Sequence, residues 1–273
     1  MRYDWISLTT DYGLDDGFVA ACHGVIARIA PAVRVIDVAH TVPPQDIRRA
    51  AVVLAATLPY LPPAVHVVVV DPGVGTARRP VVVGTGDGDV LVGPDNGLLP
   101  LVAMARGGVS AAHEITAPEY RLPDVSATFH GRDIFAPAAA HLATGTTPDA
   151  LGPAIVPDSL VRLAPSVATS VTAGSITTGV RTVDRFGNIE FEAGAAELAG
   201  ARMAAGSAIR CAVGERDIVA TVGTTFADVP PGQAVLYVDS AGLLSLAVNG
   251  GSASASLSAT AGNQAILSTV DSL

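Results

Sequence analysis

A carboxylate and two guanidinium groups stand close together in the segment VVVVDPGVGTARR, which runs from Val67 to Arg79. The valine run favours a strand that is buried on both faces, and the Asp-Pro-Gly sequence that begins at Asp71 then ends it. Ligands of open α/β sheets bind beyond the carboxyl ends of the strands. Either Arg78 or Arg79 is near enough in sequence to fold back and pair with Asp71. The segment therefore predicts a charged site at a strand end, with a solvated turn and a surface ion pair as the alternative.

A second polar segment interrupts a structural pattern in SATFHGRDIFAPAAAHL, residues 126–142. His130 directly precedes an alanine-rich helix, and the imidazole side chain titrates near neutral pH, so His130 is a candidate for acid–base chemistry. The alternative is a structural histidine that only makes hydrogen bonds at the start of the helix. Asp133 is placed to cap this helix.

Strands and helices alternate in the part of the chain that must position these groups. The patterns predict strands at Ile6–Thr10 and Val33–Val38, and helices at Phe18–Ile29, Ile47–Leu58 and Leu98–Arg106, the second helix capped by Asp46. This alternation is typical of a parallel sheet. Asp11 thus ends a strand as Asp71 does, and the sequence GTGDGD predicts a hairpin turn.

The second part of the chain has a different composition and predicts an all-β domain. Helical periodicity fades after Arg162, and we place a boundary near residues 165–173, with domains at 1–166 and 174–273. Short strands separated by turns are typical of a small barrel or sandwich. They are predicted at 174–183, 208–213, 218–222, 234–238, 243–248 and 264–270. The turns DRFGN and TTFAD each present an aromatic ring, as a binding loop or a plain hairpin turn would.

Composition excludes several classes of function. The 273 residues carry a net charge of −9, and all 16 positive side chains are arginine, so no lysine is present for a Schiff base or a Walker-type phosphate loop. No basic patch is present to neutralise the phosphates of a nucleic acid or an anionic membrane. Cys22 and Cys211 predict no disulfide framework, and no His/Cys cluster has metal-ligand spacing. Without a leader or an apolar span, we expect a soluble, cytoplasmic protein.

Five motifs in a fixed order carry a family resemblance. They are TTDYGLDDGFVA, VVDPGVGTARR, VGPDNGLL, TFHGRDIFAPAAAHLA and VDRFGN. Together they closely resemble the S-adenosyl-L-methionine hydrolases (adenosine-forming), also called SAM hydroxide adenosyltransferases, which are relatives of fluorinase and chlorinase. The resemblance implies an N-terminal α/β domain with a mostly parallel central sheet and a C-terminal β-barrel domain. It also implies a homotrimer with active sites between subunits and no cofactor or metal.

The resemblance also assigns roles to individual residues. The catalytic Asp, Arg and His of the family fall on Asp71, Arg78 and His130. Substrate-binding positions fall on Asp11 at the ribose hydroxyls, on Phe186, Asn188 and Phe226 around the adenine, and on Asp184 and Ser240 at the methionine amino and carboxylate groups. One position departs from the pattern, because the halogenating relatives have an arginine where this chain has Ala241.

The implied reaction is attack of water or hydroxide on C5′ of S-adenosylmethionine, giving adenosine and L-methionine. We expect Asp71 and His130 to hold the water together while Arg78 orients Asp71, and the sequence leaves open which of the two takes the proton. A halogenase and a non-catalytic module that binds S-adenosylmethionine or adenosine are the alternatives. A carboxylate about 4 Å from a halide would oppose it by about 4 kcal/mol at an effective dielectric constant of 20, which favours the hydrolase.

Overall fold

The computed structural model describes residues 2–164 and 167–270. The chain divides into two units between residues 163 and 164. The predicted end of the N-terminal domain falls at residue 166, and residues 165 and 166 lie outside the described residues. The domain limits 1–166 and 174–273 stay predictions.

The first unit is built around a mostly parallel sheet, as predicted. Its described strands are β1 (Trp5–Thr10), β2 (Arg34–Ala39), β3 (Val65–Val69), β4 (Pro80–Thr85), β5 (Val90–Pro94) and β6 (Val109–Glu114). They lie in the order β2-β1-β3-β5-β4-β6, and β4 is antiparallel to both of its neighbours. The predicted GTGDGD hairpin is the turn between β4 and β5. β6 was not predicted from the sequence.

Helices cover both faces of this sheet. The α-helices of the described first unit are α1 (Phe18–Ile29), α2 (Ile47–Thr57), α3 (Leu98–Met104) and α4 (Ala136–Thr144). Val67 and Val69 of β3 pack in one core with residues of α1 and α4, whereas Val68 and the following Val70 pack in a second core with residues of α2 and α3. Successive side chains of a strand point to opposite faces, so a valine run serves both cores. Asp46 caps α2 as predicted, since it accepts a hydrogen bond from the backbone N–H of Arg49.

The strand order brings the predicted polar residues to one edge of the sheet. β1 lies between β2 and β3 and is parallel to both, so the residues that follow these three strands share the carboxyl edge. Asp11 follows β1, His40 follows β2, and Asp71 follows β3 after one further valine.

The second unit contains a closed barrel, as predicted. Its described strands are β7 (Ser170–Thr172), β8 (Ser175–Val183), β9 (Ile189–Gly194), β10 (Ala208–Val213), β11 (Arg216–Val222), β12 (Ala234–Val238), β13 (Leu243–Val248) and β14 (Gln264–Thr269). The order is β14-β10-β11-β12-β13-β9-β8-β7, and β14 also pairs with β8. That pairing closes a seven-stranded barrel, and β7 adds to the edge of β8.

The sequence patterns missed β7, β9 and the two short helices α5 (Ala195–Gly200) and α6 (Ala253–Leu257). The strand β9 alternates buried and half-buried residues, with Ile189, Phe191 and Ala193 facing the core. That period of two is the signal for a half-buried strand directly after the DRFGN turn. None of the helices in the described ranges has the length and apolar character that a membrane span requires.

Candidate active site

Asp71 and Arg78 form a bidentate ion pair at the carboxyl end of β3. Nε of Arg78 donates to Oδ1 of Asp71 at 3.2 Å, and Nη2 donates to Oδ2 at 2.5 Å. Each side chain is only 6% exposed, so water screens the pair weakly. Arg79 turns away and pairs with Asp95 instead, through Nε at 2.9 Å and Nη2 at 2.6 Å. The structure thus selects Arg78 as the partner of Asp71.

His130 contacts the same guanidinium. Nη2 of Arg78 lies 2.8 Å from Nδ1 of His130. A guanidinium can only donate, so Nδ1 is the acceptor and a neutral ring carries its proton on Nε2. Burial and the neighbouring Arg78 charge lower the pKa of His130, which favours this neutral ring. We call these three residues the Asp71–Arg78–His130 cluster.

A π-helical turn, Gly131–Phe135, carries His130 at its start and leads directly into α4. Turns of this kind are rare and are found frequently at functional sites. The prediction that Asp133 caps the helix is wrong, because this residue lies inside the turn. Its fully buried carboxylate accepts the backbone N–H of Ser126 at 2.9 Å and pairs with Arg132 at 2.6 Å. Asp133 therefore holds the loop before His130 and not the helix end.

Two of the three cluster residues open onto a cavity of about 300 Å³ at the carboxyl edge of the sheet. Its lining includes Asp11, Tyr12, Gln45, Asp71, His130 and Gly131. The predicted ribose-binding carboxylate therefore lies in the same cavity as Asp71 and His130. Within residues 2–164 and 167–270, no group of three or more His, Cys, Asp or Glu side chains is arranged to hold a metal ion.

Gln45 is a cavity residue that the sequence patterns missed. Its backbone has φ of 67°, a left-handed conformation that is uncommon outside glycine and costs free energy. In this conformation its N–H donates to Oδ2 of Asp11 at 2.9 Å. The signal in the sequence is the pair of prolines before Gln45 and the helix-capping Asp46 after it, which together require a sharp turn.

Tyr12 was also missed, although it directly follows Asp11. Its ring makes edge-to-face contacts with Phe18 and Phe129, at centroid distances of 6.1 and 5.6 Å. A Cβ atom on Gly131 would overlap Oη of Tyr12 and stand 2.9 Å from its Cζ. Glycine at position 131 is thus the residue that lets the tyrosine lie against the turn that carries His130.

In the second unit, Asp184 and Asn188 close the DRFGN turn between β8 and β9. Oδ1 of Asp184 accepts the backbone N–H groups of Phe186 at 2.8 Å and Asn188 at 2.9 Å. Nδ2 of Asn188 donates to Oδ2 of Asp184 at 2.7 Å. One N–H of the Asn188 amide is therefore used by Asp184, which fixes the orientation of the amide, and Oδ1 is the atom that the side chain offers as an acceptor.

The aromatic rings predicted to meet the adenine are exposed on the second unit. Phe186 is 71% exposed and Phe226 is 44% exposed. Phe226 packs edge-to-face on Tyr237 at a centroid distance of 5.4 Å, and Tyr237 is a contact that the sequence did not predict. Ser240 is exposed in the turn between β12 and β13, where the backbone N–H of Ala241 donates to Asp239 at 2.8 Å.

The sequence of both units matches a known family. The family model described as the SAM hydroxide adenosyltransferase N-terminal domain matches residues 6–152, and the model of the corresponding C-terminal domain matches residues 178–266. The chain belongs to the SAM hydroxide adenosyltransferase family. The family resemblance predicted from the five motifs is confirmed.

Similar proteins align with this SAM hydroxide adenosyltransferase over nearly the whole chain. An (R)-S-adenosyl-L-methionine hydrolase from Salinispora arenicola is 55% identical over 260 residues, which cover 95% of this chain and 96% of the relative. A solved structure of an uncharacterized conserved protein from Thermotoga maritima is 37% identical and has a TM-score of 0.90, covering 96% of this chain and 99% of that chain. A fluorinase from Actinoplanes sp. is 28% identical and covers 89% of this chain and 90% of its own length, so fluorinase is a more distant relative.

Proposed function

We propose that this chain hydrolyses S-adenosyl-L-methionine at C5′ and releases adenosine and L-methionine. The observation that carries the proposal is the Asp71–Arg78–His130 cluster at a cavity that also contains Asp11. The chain's 55% identity to a SAM hydrolase over nearly its full length supports the same reaction.

The reaction needs two things from the protein: a water molecule held in line with C5′ and a group that accepts its proton. The water oxygen bonds to C5′ while the C5′–S bond breaks, the electron pair leaves with sulfur, and the sulfonium becomes the neutral thioether of methionine. One proton is released from the attacking water. Holding reactants in line can supply roughly 7–11 kcal/mol of the barrier, and general-base help adds a factor of roughly 10²–10⁴.

We propose that Asp71 accepts this proton. Arg78 stays protonated and can only donate. Nδ1 of His130 is occupied by its hydrogen bond from Arg78, at 2.8 Å, and Nε2 already carries a proton in the neutral ring. His130 is thus a donor that can orient the water, whereas the carboxylate of Asp71 lines the cavity and each of its oxygens has a second lone pair beyond the one that accepts from Arg78.

We propose that the second unit binds the two ends of the substrate. The exposed rings of Phe186 and Phe226 offer stacking surfaces to adenine. Oδ1 of Asn188 can accept from the exocyclic amine of the base, because its amide nitrogen is held by Asp184. Asp184 and Ser240 are proposed to meet the amino and carboxylate groups of methionine, and the small side chain of Ala241 adds no charge there.

The proposal also covers the configuration of the substrate at its sulfonium sulfur. The Salinispora arenicola relative is named for the (R) configuration of S-adenosyl-L-methionine. Exchanging the methyl group and the methionine arm at sulfur leaves C5′ and the leaving group chemically equivalent, so an enzyme can tell the epimers apart only by where it places these two substituents. We propose that this chain also prefers the (R) epimer.

We further propose that the chain acts as a homotrimer with active sites at subunit interfaces, as the resemblance to this family implies. Mass measurement by light scattering would test the trimer.

Cys22 and Cys211 are both buried free thiols, which supports our proposal of a cytoplasmic, reducing location.

Liquid chromatography of reactions in ¹⁸O-labelled water tests the function. We expect methionine and adenosine as products, with the label on the 5′ oxygen of adenosine, and faster turnover of (R)- than of (S)-S-adenosylmethionine. A 5′-halo-adenosine formed in excess chloride would favour a halogenase. Binding without release of methionine would favour a non-catalytic module, and label absent from adenosine would contradict attack of water at C5′.

A further inference from the structure

A chain of side-chain hydrogen bonds joins the ends of β1 and β2 beside the cavity. His40, which directly follows β2, is 5% exposed. Its Nδ1 atom lies 2.8 Å from Oγ1 of Thr10, the last residue of β1. Its Nε2 atom lies 2.9 Å from Oδ1 of Asp37, which also meets Nε2 of His23 at 2.8 Å. None of these four residues lines the cavity that contains Asp11 and Asp71.

The donors and acceptors of this chain follow from the chemistry of its members. Burial raises the pKa of Asp37, but the hydrogen bonds from His40 and His23 outweigh burial and lower it below its usual value. An ionised carboxylate only accepts, so Nε2 of His40 donates to Asp37, and a ring that carries its single proton at Nε2 accepts the hydroxyl proton of Thr10 at Nδ1. That orientation turns a lone pair of Thr10 Oγ1 toward the backbone N–H of Tyr12, 3.2 Å away.

The same two segments are also joined around Asp11. The carbonyl oxygen of His40 accepts the backbone N–H of Gly13 at 2.7 Å, and the N–H of Gln45 donates to Asp11. Residues 10–13 are therefore fixed against residues 40–45 on both sides of the Asp11 side chain. The β1–β3 ladder is regular up to Thr10 and Val69, but the β1–β2 ladder has a register shift between Leu8 and Thr9 and ends at Thr9 and Ala39, so strand pairing does not join residues 10–13 to residues 40–45.

We propose that His40 is a positioning residue for ribose recognition. Through Thr10 and the backbone of residues 12 and 13, it holds the Asp11 carboxylate where the sugar hydroxyls donate to it. The inference rests on the proposed function, in which Asp11 binds the ribose. Misplacing a binding group by about 1 Å can cost a factor of about 10², and the loss should fall on substrates that carry both hydroxyls.

The test compares a ribose substrate with its 2′-deoxy analogue. We measure kcat/KM for S-adenosylmethionine and 2′-deoxy-S-adenosylmethionine, and the Kd of adenosine and 2′-deoxyadenosine by calorimetry. His40→Gln keeps a donor for Asp37 but loses the acceptor for Thr10, and Thr10→Val removes the hydroxyl at constant shape. Both should reduce the ribose-to-deoxyribose preference at least about tenfold. His40→Asn, whose amide oxygen replaces Nδ1, and Thr10→Ser should retain most of it.

His66 provides a matched control on the same sheet. It is 1% exposed on β3, and its Nδ1 lies 2.7 Å from Oγ of Ser7 on β1, three residues before Thr10. His66→Gln should lower the melting temperature and leave the ribose preference unchanged, since this pair does not hold the Asp11 segment.

Each outcome bears on the inference. The role of His40 is overturned if both His40→Gln and Thr10→Val keep the wild-type preference for ribose over deoxyribose. It is also overturned if His66→Gln loses as much of this preference as they do. An unchanged preference in Asp11→Asn would overturn it too, because His40 acts through that carboxylate. If the wild-type protein releases no methionine, the proposed function fails, and the ratio of the two nucleoside Kd values still decides the role of His40.

Discussion

Arg78 donates from Nη2 to Nδ1 of His130 across 2.8 Å, and this contact determines which nitrogen of the ring carries the proton. The same guanidinium group holds the carboxylate of Asp71. One arginine therefore contacts both neighbours, which leaves Nε2 of His130 to donate, and we propose that Asp71 is the proton acceptor.

The ionisation of His130 should depend on Arg78. Burial first and the Arg78 charge second lower the pKa of His130 from its usual value of 6.5. The folded protein favours the neutral ring more than the unfolded chain does. Its contribution to the free energy of unfolding is therefore complete above pH 6.5 and is lost as the pH falls through the lowered pKa. NMR titration should give a pKa of His130 below 6.5 in the wild-type protein. In Arg78→Met this pKa should be higher, because the negative charge of Asp71 then favours the protonated ring without the opposing guanidinium charge.

His141 is the control for that titration, since burial alone lowers its pKa, and its titration should not change in Arg78→Met. A wild-type pKa of His130 at or above 6.5 would contradict the assigned proton positions.

Removal of the acidic group should stop the reaction and leave binding measurable. We expect Asp71→Asn to lower kcat for adenosine formation by about 10² or more, because the proton acceptor is lost. It should also lower the free energy of unfolding by roughly 3–5 kcal/mol, since Arg78 keeps its buried charge without an anionic partner.

Asp95→Asn separates these two effects. Asp95 forms the neighbouring ion pair with Arg79, at 2.6 Å, and its side chain is 2% exposed. This variant should lower the melting temperature yet keep the wild-type kcat per folded molecule. Equal losses of kcat in both variants would mean that Asp71 acts only on stability.

A methyl group at Gly131 should disturb the turn that carries His130. The added Cβ overlaps the phenol of Tyr12, and overpacking of this kind costs roughly 1–3 kcal/mol. We expect Gly131→Ala to reduce kcat/KM at least about tenfold. Tyr12→Phe removes the overlapping oxygen, so the double variant should recover part of the loss in a double-mutant cycle. Strictly additive effects would show that Tyr12 and Gly131 do not interact.

The exposed ring of Phe186 should contribute to binding without contributing to stability. Stacking on a base is worth roughly 1–3 kcal/mol, so Phe186→Ala should raise the Kd of adenosine by roughly 5- to 150-fold. The melting temperature should stay unchanged because the ring is 71% exposed. Tyr60, which is 79% exposed on the first unit, gives the matched control, and Tyr60→Ala should change neither quantity. An unchanged Kd in Phe186→Ala would remove this ring from the proposed adenine site.

The sequence by itself determined most of the secondary structure and the family. Strand and helix periods are set by neighbouring residues, so the valine run before Asp71 and the helix Phe18–Ile29 can be read directly from the sequence. The five linked motifs identified the family because their order and spacing are specific. The π-helical turn and the left-handed backbone of Gln45 were not predicted, since contacts distant in the chain hold both.

Only the tertiary structure decided which groups meet. Arg78 and Arg79 are adjacent in sequence and equally able to reach Asp71, but the β4–β5 pairing brings Asp95 to Arg79 and leaves Arg78 for Asp71. The contact between Arg78 and His130 joins residues 52 positions apart. Such pairings depend on the strand order and on the crossovers between strands, which local patterns do not encode, and so the proton positions at the site follow from the folded structure alone.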